Sequence, residues 1–562
     1  MLRNHGGRAQ LDLFHRTYHS LLRSTGEIQI QALVEPYSAM DPSLHVDLRA
    51  DAPDLAALTY TSLRLPTEID RVRLVLLGQS HEVFARHGYG DVQQWTAVSA
   101  PGRRRKMFFD GDETLAVLIA SPSDVDDLVP MLTAFQIEWN KLHQHLAAHS
   151  GTLDNADTTR QALVAAGMAE HDALRLVSLW GAQHTERLQT ITRYRKRFAI
   201  RMLGGSLMDY ERATLRWWWN VERALPQIDF HRQPVYFVSS NTHSLINLFS
   251  GFALRNTDEL LSYLRAEQHL GLVTEYEKIA AAQVPSSLEN FFYYVQKKYQ
   301  SDPRSRDLFA RRAAEEAELG IARVGSRLFV DVDVQVIELA RLDPQRIDPR
   351  LRVAGIERLR DSDALIVNID YPLGLAAYHI FKIIARSVGA LEGVYVIGKA
   401  ATLNGKIGDV LIPNVIYDEH SANSYSFIPA FSAADVEPYL AHGSVLDNQK
   451  AITSRGTFLQ NAALLESLYT EFFTDIEMEG GPYLNAVYEQ TFAQRHPAAE
   501  TISLLRPPFD LGFLHYASDT PYSKGHNLGS RNLSYFGMDP TYATSIAAAR
   551  RILQREAARL SR

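Results

Sequence analysis

Short apolar runs alternate with longer amphipathic stretches through the second half of the chain. Residues 363–369 and 393–398 are apolar runs of strand length, and residues 374–391 between them show a helical pattern. The same alternation returns with a helix-like stretch at 483–492 and an apolar run at 512–518. Strands that alternate with amphipathic helices predict an α/β domain whose sheet is covered by helices on both faces.

The first half of the chain has a more varied pattern. Residues 1–150 mix strand-like and helical segments, and residues 155–225 are typical of long helices. The adjacent tryptophans at 217–219 are expected to pack in a core, since they wrap most of a helix. Residues 234–254 then show an apolar strand, a polar turn and an amphipathic helix, which together form the basic unit of an α/β protein.

The change of pattern after Pro226 predicts a domain boundary. A chain of 562 residues is too long for one ordinary core, so two or three domains are expected. We predict a mixed, largely helical N-terminal α+β region of unknown role at 1–225. An α/β domain follows at 228–562, with a helical insertion at about 257–325.

Composition narrows the class of protein. A net charge of −7 at pH 7 argues against a nucleic-acid partner, which would require a basic surface. Two short basic runs, at 103–106 and 193–197, are expected to lie on solvated surfaces. The absence of cysteine excludes disulfides, thiol nucleophiles and thiolate metal sites. The sequence shows neither a membrane span nor a signal-peptide core, so a cytoplasmic protein without a membrane partner is expected.

An apolar strand that runs into small residues is the first candidate for ligand binding. Gly398 and Lys399 follow Gly393 at the spacing of a phosphate-binding P-loop, but the residues between them are strand-like. Ala400 also replaces the Ser or Thr that binds magnesium, which excludes ATP hydrolysis at a P-loop. Small residues at a strand end either let a ligand approach the backbone or form an ordinary tight turn, and this stretch does not distinguish the two.

Acidic residues at two places are candidates for proton transfer or hydroxyl binding. Glu477 and Glu479 bracket Met478 just before two glycines, a spacing that needs a polar partner for one of the two acids. Asp519 follows an apolar strand. It either donates a proton from a crevice at the strand end or caps the next turn with its side chain.

Residues 394–413, 475–488 and 513–521 together resemble, in order and spacing, the motifs of the purine nucleoside phosphorylase and nucleosidase superfamily. The resemblance covers roughly residues 363–562 and rests on three short motifs: Gly408-Asp409, Glu477-Met478-Glu479 and Ser518-Asp519. It implies a nucleoside phosphorylase-like, three-layer α/β domain with a mixed sheet that cleaves a ribosyl N-glycosidic bond. By analogy with this superfamily, a homo-oligomer is expected.

The resemblance also implies roles for individual residues. Glu479 would accept hydrogen bonds from the ribose hydroxyls, and Met478 would pack on the sugar. Asp519 would give a proton or a hydrogen bond to the leaving purine, with Ile476 and Ser518 near the base. The two glycines after Glu479 would leave room beside the sugar.

The phosphate side of the pocket departs from the superfamily pattern. Val396 stands where an arginine usually helps to bind phosphate, and Lys399 replaces the usual Ser or Thr. Asp370 and Tyr371 occupy a place where the superfamily has a glycine-rich turn. Water is therefore expected to replace phosphate as the nucleophile, with Asp370 as its candidate activator.

Three residues remain as candidate phosphate ligands, Gly398, Lys399 and Ala400. Lys399 either binds the phosphates of a nucleotide as a point charge or pairs with Asp370 and closes the site. The sequence leaves both alternatives open.

These observations together predict a nucleosidase, or less readily a phosphorylase, that acts on a purine nucleoside or nucleotide with water or phosphate as the second substrate. Two other readings remain: a degenerate nucleotide-binding or sensing protein, and a nucleotide-depleting effector regulated by its N-terminal region. No cofactor and no metal site are expected from the sequence.

Overall fold

The computed structural model describes most of the chain: residues 7–147, 151, 153–266, 269–300, 302–326, 330–492, 495–521 and 535–561. Within these ranges, no helix is long and apolar enough to cross a membrane. The strands form two mixed sheets, one in each half of the chain. The prediction of a mixed α/β protein is therefore confirmed.

The first sheet has six strands in the order β1-β6-β2-β5-β4-β3. Its strands are β1 (Glu27–Gln29), β2 (Leu74–Gly78), β3 (Thr96–Ala100), β4 (Arg103–Phe109), β5 (Thr114–Leu118) and β6 (Ala199–Met202). The helices of this half are α1 (Arg8–Thr25), α2 (Val34–Met40), α3 (Leu55–Arg64), α4 (His81–Arg86), α5 (Pro122–Leu146), α6 (Ala156–Ala165), α7 (Glu170–Trp180), α8 (His184–Arg193) and α9 (Leu207–Ala224). The stretch predicted as long helices at 155–225 is thus interrupted by β6, which pairs in parallel with β2.

The second sheet has eleven strands. They are β7 (Pro234–Ser240), β8 (Ile321–Val324), β9 (Val334–Glu338), β10 (Leu365–Asp370), β11 (Ala390–Thr402), β12 (Val410–Asp418), β13 (Ser424–Phe427), β14 (Val445–Thr453), β15 (Phe473–Glu477), β16 (Thr501–Leu504) and β17 (Asp510–Asp519). The helices are α10 (Ser244–Ser250), α11 (Phe252–Arg255), α12 (Thr257–Ala266), α13 (Leu270–Ala280), α14 (Leu288–Tyr299), α15 (Arg306–Glu318), α16 (Ala376–Ser387), α17 (Ala433–Val436), α18 (Ala462–Thr470), α19 (Gly480–Thr491) and α20 (Tyr535–Arg559). Helices α12 to α15 and strand β8 occupy the stretch predicted as an insertion.

Helices cover both faces of the second sheet, as β7 shows. Tyr236 and Val238 belong to a buried cluster with residues of α10, α14 and α20. Val235 and Phe237 point the other way, into a cluster with residues of α16 and α19. Successive side chains of a strand point to opposite faces, so a strand buried on both faces reads as one continuous apolar run.

Part of the second sheet closes on itself. Strand β11 pairs with β15 on one edge and with β17 on the other, β17 pairs with β12, and β14 joins β12 to β15. These five strands form a closed barrel. The rest of the sheet continues from β11 through β7, β10 and β9 to β8.

The two halves of the chain share buried surface. Barrel residues such as Ile452 and Ile476 lie in the same apolar cluster as Phe14 and Leu128 of the first half. Helix α9 packs against α16, and its Trp217 and Trp218 join the core of the second sheet. The tryptophan prediction is confirmed for these two but wrong for Trp219, which is 58% exposed.

Candidate active site

The second sheet opens at Gly398, in the middle of β11. Upstream of this residue β11 pairs with β7 as far as Val396, and β15 takes over the same edge only at Ala401. Between them one edge of β11 lacks a strand partner, in a part of the chain that the structure describes fully. The strand was expected to end at Gly398, which is wrong. It continues to Thr402 because β15 and β17 pair with it inside the barrel.

Glu479 follows the end of β15 by two residues, on the side where the pairing of β15 with β11 stops at Ala401, and it directly precedes α19. Its Oε1 accepts a hydrogen bond from the backbone N–H of Gly374, at 3.1 Å, in the loop after β10. No described residue donates a hydrogen bond to its other oxygen, Oε2. Burial raises the pKa of Glu479, and the Gly374 N–H and the charges of Arg103 and His515 oppose that rise. Gly374 therefore anchors one carboxylate oxygen, and the backbone of Met478 also acts on the carboxylate and lowers its pKa.

The anchor of Glu479 requires a glycine. Gly374 has a positive φ of 53°, which side chains of L-residues rarely adopt. A Cβ at this position would lie 2.3 Å from Oγ of Ser123, which itself accepts a hydrogen bond from the N–H of Leu375 at 2.9 Å. Ser123, at the start of α5, thus fixes the loop after β10, and Gly374 in that loop anchors Glu479.

Glu477 has a different environment from Glu479. Its Oε2 accepts hydrogen bonds from the N–H groups of Glu479 and Gly480, both at 2.5 Å, and Oε1 accepts one from Oγ1 of Thr453. Burial raises the pKa of Glu477 to about 7. The carboxyl therefore fixes the turn before α19.

The sequence suggested that the two glycines after Glu479 leave space beside a sugar. The structure shows instead that neighbouring residues fill this space. A Cβ on Gly480 would lie 2.8 Å from Oε1 of Glu477, and one on Gly481 would lie 2.4 Å from Cβ of Asp418. They are needed because α19 begins in close contact with β12 and β15. The sequence pattern showed that small residues were required but not what they approach.

Asp519 ends β17 and is buried, 7% exposed. Asp519 pairs with Ala401 on one edge of β11, and Ile476 pairs with the same residue on the opposite edge. The neighbouring Ser518 donates a hydrogen bond from Oγ to the carbonyl of Ala400, at 3.3 Å. Two of the predicted site residues, Asp519 and Ile476, are therefore held on either side of one strand position.

The residues next to Glu479 differ in accessibility. Met478 is partly buried, whereas Ile476 is 5% exposed and packs in the apolar cluster that the two halves of the chain share. Because this packing occupies the Ile476 side chain, the structure gives it little free surface for a base. Its proposed role next to the base stays a prediction.

Asp370 is engaged by the first half of the chain. Its Oδ2 forms an ion pair with Arg104, and its Oδ1 accepts a hydrogen bond from the N–H of Tyr371 at 2.9 Å. The tyrosine hydroxyl lies 3.2 Å from that of Tyr516 on β17. A carboxylate paired with arginine is a weak proton acceptor, so these contacts do not favour Asp370 as the group that activates water.

Lys399 is not the partner of Asp370. No ion pair joins the two side chains, both of which the structure describes, and Lys399 is exposed. Desolvation of the Lys399 amine by the surrounding protein and the positive charge of Lys297 lower the pKa of Lys399. The negative charge of Asp519 opposes this shift. The alternative in which Lys399 closes the site through Asp370 is therefore wrong.

Arg64, at the end of α3, is a further candidate site residue, and sequence reasoning missed it. It is 6% exposed, its guanidinium lies 3.6 Å from the ring centre of Tyr60, and its Nη1 donates a hydrogen bond to the Tyr60 carbonyl at 3.3 Å. Its Nε is buried without a partner, and no ion pair reaches it from the described residues. Burial lowers the pKa of Arg64, while Asp127 and Asp519 oppose the shift.

The basic run at 103–106 was expected on a solvated surface, which is wrong. Arg105 donates hydrogen bonds to Asp124 and Asp127, at 2.8 and 2.9 Å, and Arg103 donates to Asp127 at 2.7 Å. Strand β4 therefore turns its charges toward the acidic start of α5. The acids that neutralise the run lie about twenty residues away, so the run itself gave no sign of burial.

His515 and Asp475 form the second feature that sequence reasoning missed. Nδ1 of His515 lies 2.7 Å from Oδ2 of Asp475, and both side chains are buried. Burial alone would lower the pKa of His515, but Asp475, Glu477 and Glu479 raise it to about 9. A histidine in an otherwise apolar strand was the available signal, and its acidic partner lies 40 residues away.

Comparison with known proteins gives one family and several solved structures. Residues 30–554 match a family described as "Family of unknown function (DUF6909)". No curated protein matches the chain.

The solved structures that resemble the chain include two nucleosidases and a phosphorylase. S-adenosylhomocysteine nucleosidase from Streptococcus pyogenes is 9% identical with a TM-score of 0.30, over 57% of this chain and 97% of that one. Uridine phosphorylase from Schistosoma mansoni is 10% identical with a TM-score of 0.30, over 58% and 89% of the two chains. The 5'-methylthioadenosine nucleosidase of Arabidopsis thaliana is 8% identical with a TM-score of 0.27, over 58% and 94%. These scores are too low to carry a functional conclusion.

Proposed function

The chain belongs to the family of unknown function DUF6909. From the geometry of the candidate site we propose that it is a nucleosidase. It would hydrolyse the N-glycosidic bond of a purine nucleoside or nucleotide. The observation that carries the proposal is the position of Glu479. It stands just past the end of β15, whose pairing with β11 stops at Ala401, with Oε1 anchored by Gly374 and Oε2 without a described donor.

This geometry suits a ribose. Cleavage of the glycosidic bond develops positive charge on the sugar, and the ring must be held in one orientation for the base to leave. A carboxylate oxygen that accepts ribose hydroxyls forms charge-assisted hydrogen bonds, which are stronger than neutral ones. The charges of Arg103 and His515 favour the ionised form of Glu479 that this role requires.

Asp519 supplies the second part of the proposal. The base leaves with an excess of electrons, and a carboxyl group at the end of β17 is placed to donate a proton or a hydrogen bond to it. Ser518 and Ala400 would position this carboxyl through their hydrogen bond across the strands. Burial of Asp519 supports the role, because proton donation is most effective where water is excluded.

The positive groups around the site favour a phosphorylated substrate. Arg64 is buried without an ion pair among the described residues, and both Arg64 and Lys399 interact with the charge of Asp519. An unpaired buried guanidinium is costly unless an anion binds to it. A nucleotide would supply that anion, with Arg64 and Lys399 as phosphate ligands, so AMP is the preferred first substrate to test.

A second candidate function is nucleotide binding without cleavage. The contact that favours it is the ion pair between Arg104 and Asp370, which fixes the loop after β10 and engages the carboxylate expected to activate water. In that case the first half of the chain would sense or regulate the bound nucleotide. If the protein instead cleaves the bound nucleotide, the same regulation by the first half of the chain would make it a nucleotide-depleting effector.

A base-release assay distinguishes these functions. Purified full-length protein is incubated with adenosine, inosine, AMP and ATP, with and without phosphate, and free base is measured by chromatography. We expect base from AMP without phosphate, and loss of release in Glu479→Gln and Asp519→Asn. The matched controls are Glu489→Gln on α19 and Asp510→Asn at the start of β17, which should keep full activity.

Each other outcome has a defined meaning. Release that depends on phosphate would make the enzyme a phosphorylase. A thermal shift with AMP but no base would support the binding protein. Toxicity on expression that disappears with Asp519→Asn would support the effector. No base from any substrate, or full activity in Glu479→Gln, would overturn the proposal.

A further inference from the structure

Helices α1 and α5 bring together two histidines and one aspartate, residue types that commonly bind metal ions. All three are distant in sequence from Gly398. His15 and His19 lie on α1, and Asp126 lies on α5. One ligand atom from each lies within 4.8 Å of the other two. We propose that His15, His19 and Asp126 bind a divalent transition-metal ion.

The helix places both imidazoles on one side. Residues four apart share a face of an α-helix, and a His-x-x-x-His pair is a common way to offer two nitrogen ligands. Nε2 of His15 lies 3.2 Å from Oδ1 of Asp126, and Nε2 of His19 lies 2.7 Å from the same oxygen. Both rings thus direct the same nitrogen toward one carboxylate oxygen, which gathers three possible ligand atoms at one place.

The cluster is built into the structure. The Asp126 side chain is 2% exposed, whereas His15 and His19 are 21% and 18% exposed, so the site is buried on the carboxylate side and reachable on the other. The hydroxyl of Tyr18 donates a hydrogen bond to Oδ1 of Asp126 at 2.7 Å. Such second partners orient a ligating carboxylate and are typical of protein metal sites.

A second observation points to a ligand at this place. Nε2 of His420 is buried and has no hydrogen-bond partner in the part of the chain that the structure describes. Asp126 is one of the charges that act on His420. A buried imidazole nitrogen without a partner is costly, and a metal-bound water would give it one.

The remaining space and charge fit a bound ion with one exchangeable ligand. A cavity of about 10 Å³ borders His15, which is roughly the volume that one water needs. Its other lining residues are Arg8, Leu11, Asp12, Glu419, Arg455 and Leu459. The carboxylates of Asp12, Glu419 and Asp126 therefore outnumber the two guanidinium groups of Arg8 and Arg455. The arginines on the open side favour water or hydroxide as the exchangeable ligand.

The donor set selects the class of metal. Two imidazoles and one carboxylate suit zinc, iron, cobalt or manganese, whereas magnesium and calcium prefer oxygen ligands alone. No metal site was expected from the sequence, because Asp126 is more than 100 residues from the histidine pair. The inference is independent of the proposed nucleosidase activity, since none of its ligands belongs to that site.

The test is metal binding by the full chain. Protein freed of metal with a chelator is titrated with Zn²⁺ in a calorimeter, and with Co²⁺ while the visible absorption of the ion is recorded. We expect one Zn²⁺ per chain, a Co²⁺ spectrum of low coordination number that Zn²⁺ displaces, and no comparable binding of Mg²⁺. Binding should also raise the melting temperature, because the ion binds the folded state.

Variants decide whether the three residues are the ligands. His19→Ala and His15→Gln should each weaken Zn²⁺ binding by at least about 10-fold and alter the Co²⁺ spectrum. His171→Ala is the matched control, because His171 lies 3.0 Å from Asp172 on an exposed helix surface. Circular dichroism identifies any variant that fails to fold, and His15→Gln is chosen because His15 is partly exposed.

Three results would overturn the inference. They are the absence of stoichiometric Zn²⁺ or Co²⁺ binding, equal binding of Mg²⁺, and full Zn²⁺ affinity in both folded histidine variants. In each case His15, His19 and Asp126 would form a hydrogen-bonded cluster only. Nucleosidase activity has no bearing on any of these measurements.

Discussion

Nδ1 of His515 lies 2.7 Å from Oδ2 of Asp475 inside the barrel, and the pair places a buried positive charge next to Glu477 and Glu479. His515 faces Gly398 in the parallel pairing of β11 and β17, so the charge lies directly beside the opening of the sheet. The three acids of the 475–479 segment are therefore balanced by a residue from another strand.

The first prediction concerns the pH dependence of stability. The pKa of His515 is raised to about 9 in the folded protein, against about 6.5 in an unfolded chain. The histidine therefore stabilises the fold fully below pH 6.5, and this contribution is lost as the pH rises through 9. In Asp475→Asn the pKa of His515 should fall, and the difference in unfolding free energy from wild type should be largest near pH 6 and shrink toward pH 9.

The measurement is urea unfolding of both proteins at several pH values between 6 and 9.5. Asp361→Asn is the control, since the Asp361 side chain is 68% exposed and should give a pH-independent difference near zero. A constant difference between wild type and Asp475→Asn across this range would show that the His515 imidazolium is not what Asp475 holds.

The second prediction separates the two glutamates that bracket Met478. Glu477→Gln should lower the free energy of unfolding by about 1–3 kcal/mol, because it disturbs the hydrogen bonds to Thr453 and to the turn before α19. Glu479→Gln should leave stability nearly unchanged but reduce base release by at least about 100-fold. Denaturant unfolding and the base-release assay on both variants check this. Equal loss of stability in both variants would remove the distinction.

The third prediction concerns Arg64. Arg64→Met removes a buried charge that has no described ion pair, so the free energy of unfolding should stay the same or rise. The KM for AMP should rise at least about 10-fold, whereas the KM for adenosine should change little.

The control for Arg64 is Arg71→Met. Arg71 also lies over an aromatic ring, 5.3 Å from the centre of Phe109, and donates to a backbone carbonyl, but it is exposed. Its substitution should leave both KM values unchanged. An equal effect of Arg64→Met on adenosine and AMP would show that Arg64 does not contact phosphate.

The fourth prediction tests the loop that anchors Glu479. Gly374→Ala should destabilise the protein by at least about 1–3 kcal/mol, because φ is 53° and the new Cβ would meet Ser123. Ser123→Gly in the same chain should restore only the part that comes from the steric contact. Gly271→Ala on α13 is the control, since nothing lies within 4 Å of the added Cβ there. Melting temperatures of the four proteins are compared, and a neutral Gly374→Ala would contradict the geometry.

The fifth prediction compares neighbouring tryptophans of α9. Trp218→Ala should cost about 3–5 kcal/mol, since the indole is fully buried. Trp219→Ala should change the free energy of unfolding by no more than about 0.5 kcal/mol, because Trp219 is mostly exposed. Chemical denaturation of both variants gives the answer, and similar losses would mean that α9 does not pack on the second sheet as described.

The sequence alone predicted the local elements of the second half well. Apolar runs such as 363–369 and 512–518 became buried strands, since a strand covered on both faces needs a continuous apolar run. The first half was harder to interpret, because its sheet uses short strands such as β6, four residues between two helices. A run of that length has no periodicity that separates it from a helix end.

The candidate site shows the same division. The resemblance to a known superfamily selected Glu479, Asp519 and Gly398 as candidates, since local sequence left Gly398 as a possible tight turn and Asp519 as a possible cap. The surroundings of these residues were decided by tertiary structure, since Arg64 acts on Asp519, Arg104 pairs with Asp370 and Ser123 binds Leu375, each from more than 250 residues away. The burial of a charge depends on such distant partners, and no local pattern of hydrophobic and polar residues records them.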